Sequence, residues 1–215
     1  MTDPHSFNPS RLPSTGGPSD TRLDHYVDSY AQRTHKMTAS AVRSLFSVAN
    51  RPEVVSLAGG MPNIADLPLG KVGNLLDELI QRDGARIMQY GSGQGELQIR
   101  EQICEVMAEE QIRAHPDDVV ITAGSQQGLD LVTRIFCDPD DVVLVEAPSY
   151  VGALGTFKSY QTQISHVAMD DQGLDPDALR QAVTSLRAQG RRVKFLYTIP
   201  NFNNPAGITQ PTERR

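Results

Sequence analysis

The chain has 215 residues, of which 39% are hydrophobic and 21% are charged. This composition is typical of a folded globular protein of one or two domains and argues against a disordered or a membrane protein. The formal net charge is -6 and the 20 basic residues are scattered, so we expect no nucleic-acid partner and no anionic membrane surface. Small-molecule chemistry is the expected class of function.

The N-terminal segment is polar. Residues 1–20 are rich in Pro, Ser and Gly and lack the apolar stretch of a signal peptide, so we expect a disordered tail. No segment reaches the roughly 20 apolar residues of a membrane span. The two cysteines, Cys104 and Cys137, lie in separate apolar helical patterns, which predicts buried thiols in a reducing cytosol, without a disulfide or a zinc site. A cytoplasmic protein is therefore expected.

Helical patterns dominate the first half of the chain. A helix is expected at residues 38–49, followed by an extended segment at 53–57. Two apolar stripes at helical spacing then predict two amphipathic helices, the first of them closed by Gly84. The stripe residues are Leu69, Val72, Leu75, Leu76, Leu79 and Ile80 in the first helix, and Ile99, Ile103, Val106 and Met107 in the second.

From Asp117 onward, short Val/Ile/Leu runs alternate with helical patterns. Strands are predicted at 119–122, 142–145, 164–168 and 194–199, and helices at 125–136, from about 149, and at 176–188. The last helix has the clearest signals, because Asp175 can cap it, Pro176 suits its first turn and Gly190 ends it. The alternation predicts an α/β protein of three layers, with a mainly parallel sheet covered on both faces.

The loop at 123–128 opens the helix that follows the first of these strands. Its sequence, AGSQQG, would direct free backbone N–H groups and the positive end of the helix to the carboxyl edge of the sheet, where a phosphate would bind. Gly124 allows close approach, and the Ser125 hydroxyl and the Gln126 amide would add donors. An ordinary turn with Ser125 as the N-cap is the alternative, and the motif alone favours that alternative.

Two further loops follow strands at the same edge. The EAPSY segment brings Tyr150, whose ring would stack on a flat heterocycle, although a packed tyrosine is the commoner role. The segment PNFNNPAG at 200–207 is a polar turn that brings Asn204, although Asn and Gly are ordinary turn residues. Together the three loops supply a phosphate site, an aromatic platform and an amide donor in the order that a phosphorylated aromatic cofactor requires.

Five segments resemble the successive signatures of the fold-type I, class I/II aminotransferases, which depend on pyridoxal 5'-phosphate (PLP). They are SLAGGMPN (56–63), QYGSGQGELQIRE (89–101), ITAGSQQGLDL (121–131), EAPSYVGAL (146–154) and IPNFNNPAG (199–207). Their order and spacing match the family from about Ser40 to Gly207. The 2-aminoadipate (LysN-like) and kynurenine/aminoadipate aminotransferases look most similar. The resemblance implies the large domain of this fold, incomplete at its C-terminus.

The resemblance also implies roles for residues at the cofactor. Ser125 and Gln126 would hold the phosphate, and Tyr150 would stack on the pyridine ring. Asn204 would donate a hydrogen bond to the phenolic oxygen of the ring and border the substrate. Tyr90 would reach the site of a neighbouring subunit, which implies a homodimer with composite active sites.

Two more residues would bind the substrates, an amino acid and a 2-oxo acid. Gly60 would line the position of the substrate carboxylate. Arg43 falls where the LysN-like branch has an arginine that binds the distal carboxylate of aminoadipate or glutamate through two parallel hydrogen bonds. A solvated arginine on the surface of a helix is the alternative for Arg43.

By the same resemblance the chain divides into three parts. Residues 1–35 would be a disordered polar tail, residues 36–66 an N-terminal arm with the start of the small domain, and residues 67–215 the N-terminal part of the PLP-binding large domain. The amino acid would be similar to 2-aminoadipate or glutamate, aromatic or branched-chain.

Members of this family hold PLP as a Schiff base to a lysine. None of the four lysines fits that position; they are Lys36, Lys71, Lys158 and Lys194. The lysine would lie beyond Arg215, so we expect an N-terminal fragment of an aminotransferase that is inactive by itself. Two alternatives stay open, a non-catalytic fragment and the effector domain of an aminotransferase-like transcription regulator.

Overall fold

The computed structural model describes residues 26, 29–37, 53–55, 64 and 66–215. The helix predicted at 38–49 and most of the predicted tail lie outside the described residues, as do Arg43 and Gly60. The helices of the described part are α1 Leu69–Ile87, α2 Leu97–Glu109, α3 Ser125–Phe136, α4 Val151–Ser159 and α5 Pro176–Ala188. Its strands are β1 Val142–Ala147, β2 Gln163–Asp170, β3 Gly173–Leu174 and β4 Val193–Tyr197. Short 3-10 turns occur at Gln32–Lys36, Pro116–Asp118 and Thr212–Arg214.

The four strands form one sheet in the order β3-β2-β1-β4. Strand β1 is parallel to both of its neighbours, and Val143 pairs with Ile164 of β2 on one side and with Phe195 of β4 on the other. The two-residue β3 is antiparallel to β2. The predicted α/β architecture with a mainly parallel sheet is therefore confirmed.

Alternate residues of β1 enter two separate cores. Val143 and Val145 lie in one core with Phe157 of α4 and with Leu129 of α3 packed against it, and Leu144 lies in the other core, against which residues of α5 pack. This alternation is the period of two that a strand imposes on its side chains. Helices thus cover both faces of the sheet, as predicted for a three-layer protein.

The caps of α5 agree with the sequence. The Asp175 carboxylate accepts the backbone N–H groups of Asp177 at 2.8 Å and Ala178 at 3.2 Å, and Pro176 is the first helical residue. The helix ends at Ala188, and Gly190 follows with a φ of 67°. An aspartate cap and a left-handed glycine are the local signals that set these two ends.

One predicted strand is wrong. Residues 119–122 are not a strand, because no strand of the described part pairs with them. The backbone N–H of Ile121 donates instead to the carbonyl of Gln94 at 2.9 Å. A run of Val and Ile favours the extended conformation, but a strand also needs a neighbouring backbone to complete its hydrogen bonds.

Three predicted boundaries also change. Helix α1 continues past Gly84 to Ile87, although Asp83 has a non-helical φ of -151°. Helix α4 begins at Val151 rather than near 149. Strand β4 ends at Tyr197 rather than at 199, because the N–H of Ile199 donates to the side chain of Glu146 instead of extending the sheet.

Asp141 anchors the amino end of β1. Its buried carboxylate accepts the backbone N–H of Asp138 at 2.8 Å, and it pairs with Nε of Arg192 at 2.8 Å and with Nζ of Lys194 at 3.2 Å. Burial raises the pKa of this carboxyl, but the Asp138 amide and the two cations outweigh burial and leave the pKa below its ordinary value of 3.8. The network holds β4 beside β1 at the end of the sheet away from the predicted site.

Candidate functional site

A cavity of about 650 Å³ lies where α3, α4 and β4 meet the loop that follows β4. Small-molecule sites in proteins have volumes of roughly 300–1,000 Å³. Most of the lining is apolar, with a few polar groups among it. The lining residues are Ser125, Gly128, Leu129, Val132, Tyr150, Phe157, Phe195, Leu196, Tyr197, Ile199 and Asn204.

The N-terminus of α3 forms one wall. Gly124 occupies the N-cap position with a φ of 77°, and no side chain caps the helix. Ser125 is the first helical residue, so the alternative in which Ser125 is the N-cap is wrong. A Cβ atom built on Gly124 would meet no atom within 4 Å, so this corner is open. The uncapped N–H groups and the positive end of the helix suit an anion.

Gln126 has a different environment from Ser125. Its side-chain amide donates to the hydroxyl of Thr156, which is buried in α4 and itself donates to the Gly152 carbonyl at 3.1 Å. The side chain therefore ties α3 to α4 and does not line the cavity. The backbone N–H of Gln126 still lies in the first turn of α3, where it would serve an anion.

Tyr150 reaches the cavity from the carboxyl end of β1. It is the N-cap residue of α4, and its ring lies directly over Gly152, where a Cβ atom would be only 2.5 Å from Cζ of the ring. Burial raises the pKa of the neighbouring Tyr197, and the proximity of Tyr150 and Glu146 adds to the rise. The cavity thus has two tyrosines, one on each of two adjacent strand ends.

The third wall is the loop after β4. Asn204 lines the cavity, and the preceding Asn203 is 2% exposed. The side-chain amide of Asn203 donates to Glu146 at 2.8 Å, and its carbonyl oxygen accepts the Ala206 N–H at 3.1 Å. Sequence reasoning missed Glu146. The available signal was a carboxylate at the end of the apolar run VVLV, because a buried charge needs partners.

Five of the seven predicted site residues lie in the described part. Ser125, Tyr150 and Asn204 come from three separate parts of the chain and line one cavity, and Gln126 follows Ser125 in the first turn of α3. Tyr90 lies apart, with its whole side chain exposed.

The residues of this cavity fit PLP in their chemistry. An uncapped helix N-terminus suits the phosphate, a tyrosine ring suits the heterocycle, and a side-chain amide suits the phenolic oxygen. The mainly apolar lining would shield these polar contacts from water, which strengthens them.

The sequence profile described as "Aminotransferase class I and II" matches residues 53–214. The chain belongs to this family. Members of the family depend on PLP, so the expected family and cofactor are confirmed.

Two curated relatives illustrate the similarity of this aminotransferase chain. It is 37% identical over 191 residues to "Aromatic-amino-acid aminotransferase 1" of Thermococcus litoralis, covering 88% of this chain and 46% of the relative. It is 32% identical over 190 residues to "2-aminoadipate transaminase" of Thermus thermophilus, covering 88% and 45%. The chain therefore spans about half the length of the curated relatives that it matches.

A solved structure extends the comparison to the fold. The kynurenine aminotransferase of Pyrococcus horikoshii, crystallised in complex with PMP, superposes with a TM-score of 0.82 at 34% sequence identity. The match covers 90% of this aminotransferase chain and 48% of that one.

In the described residues, no helix combines the length and the apolar character that crossing a membrane demands.

Proposed function

We propose that the complete protein is a PLP-dependent aminotransferase that transfers an amino group between an amino acid and a 2-oxo acid, with its cofactor in the cavity described above. The observation that carries the proposal is that Ser125, Tyr150 and Asn204, from three separate parts of the chain, line one cavity of suitable size and chemistry. PLP, when bound, supplies the electron sink that this chemistry needs.

Each wall of the cavity has a defined task in this proposal. The Ser125 hydroxyl and the first-turn N–H groups of α3 bind the phosphate. The Tyr150 ring stacks on the pyridine ring, and the Asn204 amide donates to the phenolic oxygen. Phe157 and Phe195 exclude water from the inner side of the cavity. Arg43 and Gly60, outside the described residues, stay predicted substrate ligands.

The proposed substrates are amino acids similar to 2-aminoadipate or glutamate, aromatic or branched-chain. The support is the similarity of the chain to the proteins above, which are named for aromatic amino acids, 2-aminoadipate and kynurenine. The three-part division at residues 35 and 66, with residues 67–215 in the PLP-binding large domain, belongs to the same proposal. The cytoplasmic location stays a prediction.

The complete protein is also proposed to be a homodimer whose active sites combine residues of both subunits. Tyr90 is fully exposed, as a residue that reaches into a partner would be in the isolated chain. Leu75 and Leu76, from the apolar stripe of α1, are also more than half exposed. Sedimentation of the full-length protein tests this part, and a monomer that still binds PLP with full affinity would contradict it.

The isolated 215-residue chain is proposed to have no transaminase turnover. No lysine lines the cavity in the described part, and Lys194 pairs with Asp141 at the far end of the sheet. Measurable PLP-dependent turnover in a pure sample of this chain would overturn the proposal.

The central experiment uses the full-length protein. We expect visible absorption from bound PLP, bleached by amino-acid donors, and weaker binding in Ser125→Ala and Asn204→Ala. Glu105→Gln, an exposed position on α2, is the matched control. Failure to bind PLP at saturating concentration would refute the proposal. Binding without turnover of any amino acid would favour the effector-domain alternative instead.

A further inference from the structure

Glu146 links two of the three loops at the cavity. It lies near the end of β1, is 1% exposed, and accepts three hydrogen bonds from the segment after β4. The donors are the Thr198 hydroxyl, the Ile199 backbone N–H at 2.9 Å and the Asn203 side-chain amide at 2.8 Å. Both carboxylate oxygens are therefore engaged with one short segment of chain.

Asn203, which is hydrogen-bonded to Glu146, also makes hydrogen bonds within the turn that contains Asn204. Its side-chain oxygen accepts the Ala206 N–H at 3.1 Å, and its backbone N–H donates to the Ile208 carbonyl at 2.8 Å. Its backbone carbonyl accepts the N–H of Gly207. The turn is thus closed around Asn204, which lines the cavity.

A buried carboxylate is costly unless it is fully hydrogen-bonded, and each of the three groups named above donates a hydrogen bond to Glu146. A glutamine of the same shape would lose the negative charge that strengthens these bonds, although its NH₂ group could face the Thr198 hydroxyl, which accepts as well as donates. The site therefore requires an acceptor at Oε2, which receives two N–H donors, and it favours the ionised carboxylate. One of the three donors, Asn203, directly precedes Asn204 in the chain, and the other two lie at the start of the same loop.

We infer that Glu146 is a positioning residue that acts through Asn203 to hold the Asn204 amide against the phenolic oxygen of PLP. The inference rests on the proposed function, because it assumes that the cavity holds the cofactor. It adds a residue that contacts neither the cofactor nor the substrate.

The test measures PLP affinity and the pH at which bound PLP changes its absorption, in the full-length protein. The second readout reports the hydrogen bond at the phenolic oxygen, which stabilises the ionised form. We expect Glu146→Gln to weaken PLP binding roughly 10-fold and to shift the absorption titration in the same direction as Asn204→Ala. The Glu105→Gln control should change neither readout.

A double variant separates positioning from general destabilisation. Because the effect of Glu146 on the cofactor depends on the Asn204 amide, Glu146→Gln added to Asn204→Ala should produce no further shift of the titration. Thr198→Val, which removes one donor and keeps the side-chain volume, should give a smaller shift in the same direction. If Glu146→Gln does not fold, the titration shift of Thr198→Val tests whether Glu146 positions Asn204.

Different results would contradict the proposed function and the role of Glu146. If the wild-type protein does not bind PLP, the proposed function is wrong. If it binds PLP and Asn204→Ala shifts the titration, but Glu146→Gln and Thr198→Val lower only the melting temperature, the inference is wrong and Glu146 is merely structural.

Discussion

Gly152 controls where the ring of Tyr150 can lie. A Cβ atom at this position would be 2.5 Å from Cζ, 2.6 Å from Cε1 and 2.6 Å from the hydroxyl oxygen of Tyr150. We therefore expect Gly152→Ala to displace the ring and to leave the helix intact, because the clashing atoms belong to the free end of a side chain that can rotate.

The displacement can be sized from these distances. Ordinary van der Waals contact begins at 3.4 Å, so the ring must move by about 0.9 Å or more. Aromatic stacking contributes about 0.5–1.5 kcal/mol, so its loss would weaken PLP binding roughly 2- to 10-fold. Alanine has a higher helix propensity than glycine by about 0.5–1 kcal/mol, so the fold itself should not suffer.

Gly155 supplies a matched control on the same helix. A Cβ atom there would meet nothing within 4 Å, so Gly155→Ala brings the same gain in helix propensity without touching Tyr150. The assay compares the two variants of the full-length protein by PLP titration, by thermal unfolding and by crystallography. Gly155→Ala should be slightly more stable than wild type and bind PLP equally well.

Two results would refute this reasoning. One is a crystal structure of Gly152→Ala in which the Tyr150 ring keeps its place. The other is a displaced ring with unchanged PLP affinity, which would show that Tyr150 is not a platform for the cofactor.

Three further predictions concern stability and are checked by urea unfolding. Phe157→Ala should lower the free energy of unfolding by about 3–5 kcal/mol, because the ring is 1% exposed and packs edge-on against two aromatic neighbours. Ile135→Ala is the control. Because Ile135 is exposed, this change should alter the free energy of unfolding by no more than about 0.5 kcal/mol. Asp175→Ala should cost about 1 kcal/mol and Asp175→Asn almost nothing, since asparagine also caps; equal losses would exclude the cap. Asp141→Asn should cost about 1–3 kcal/mol at pH 7. Because the folded pKa of Asp141 lies below 3.8, its contribution is present above that value and is lost as the pH falls toward the folded pKa, so the variant should show a flatter loss of stability in acid.

Local sequence signals correctly predicted the helices whose ends are set by residues close in sequence. Helix α5 was bounded correctly because Asp175, Pro176 and Gly190 act within a few residues of backbone. Helix α3 was bounded correctly as well, at Ser125–Phe136. Residues 119–122 show the opposite case, because a strand depends on a distant partner that no local pattern encodes.

The candidate site also has features that could be predicted from the sequence and features that could not. That Tyr150 and Asn204 line one cavity could be predicted from the sequence, because residues at the carboxyl ends of parallel strands meet at one edge of a sheet. The engagement of the Gln126 side chain with Thr156 could not, since the two residues are 30 positions apart. Sequence also could not show that Gly152 leaves room for the Tyr150 ring.

By itself, the sequence determined the alternation of strands and helices from residue 142 onward, the caps of α5 and the order of the three segments that are proposed to bind the cofactor. Only the tertiary structure decided that Glu146 and Asn203, 57 positions apart, share a buried hydrogen bond and thereby place Asn204. The physical reason is that propensity and periodicity act over a few residues, whereas the partners of a buried charge are chosen by how the layers pack.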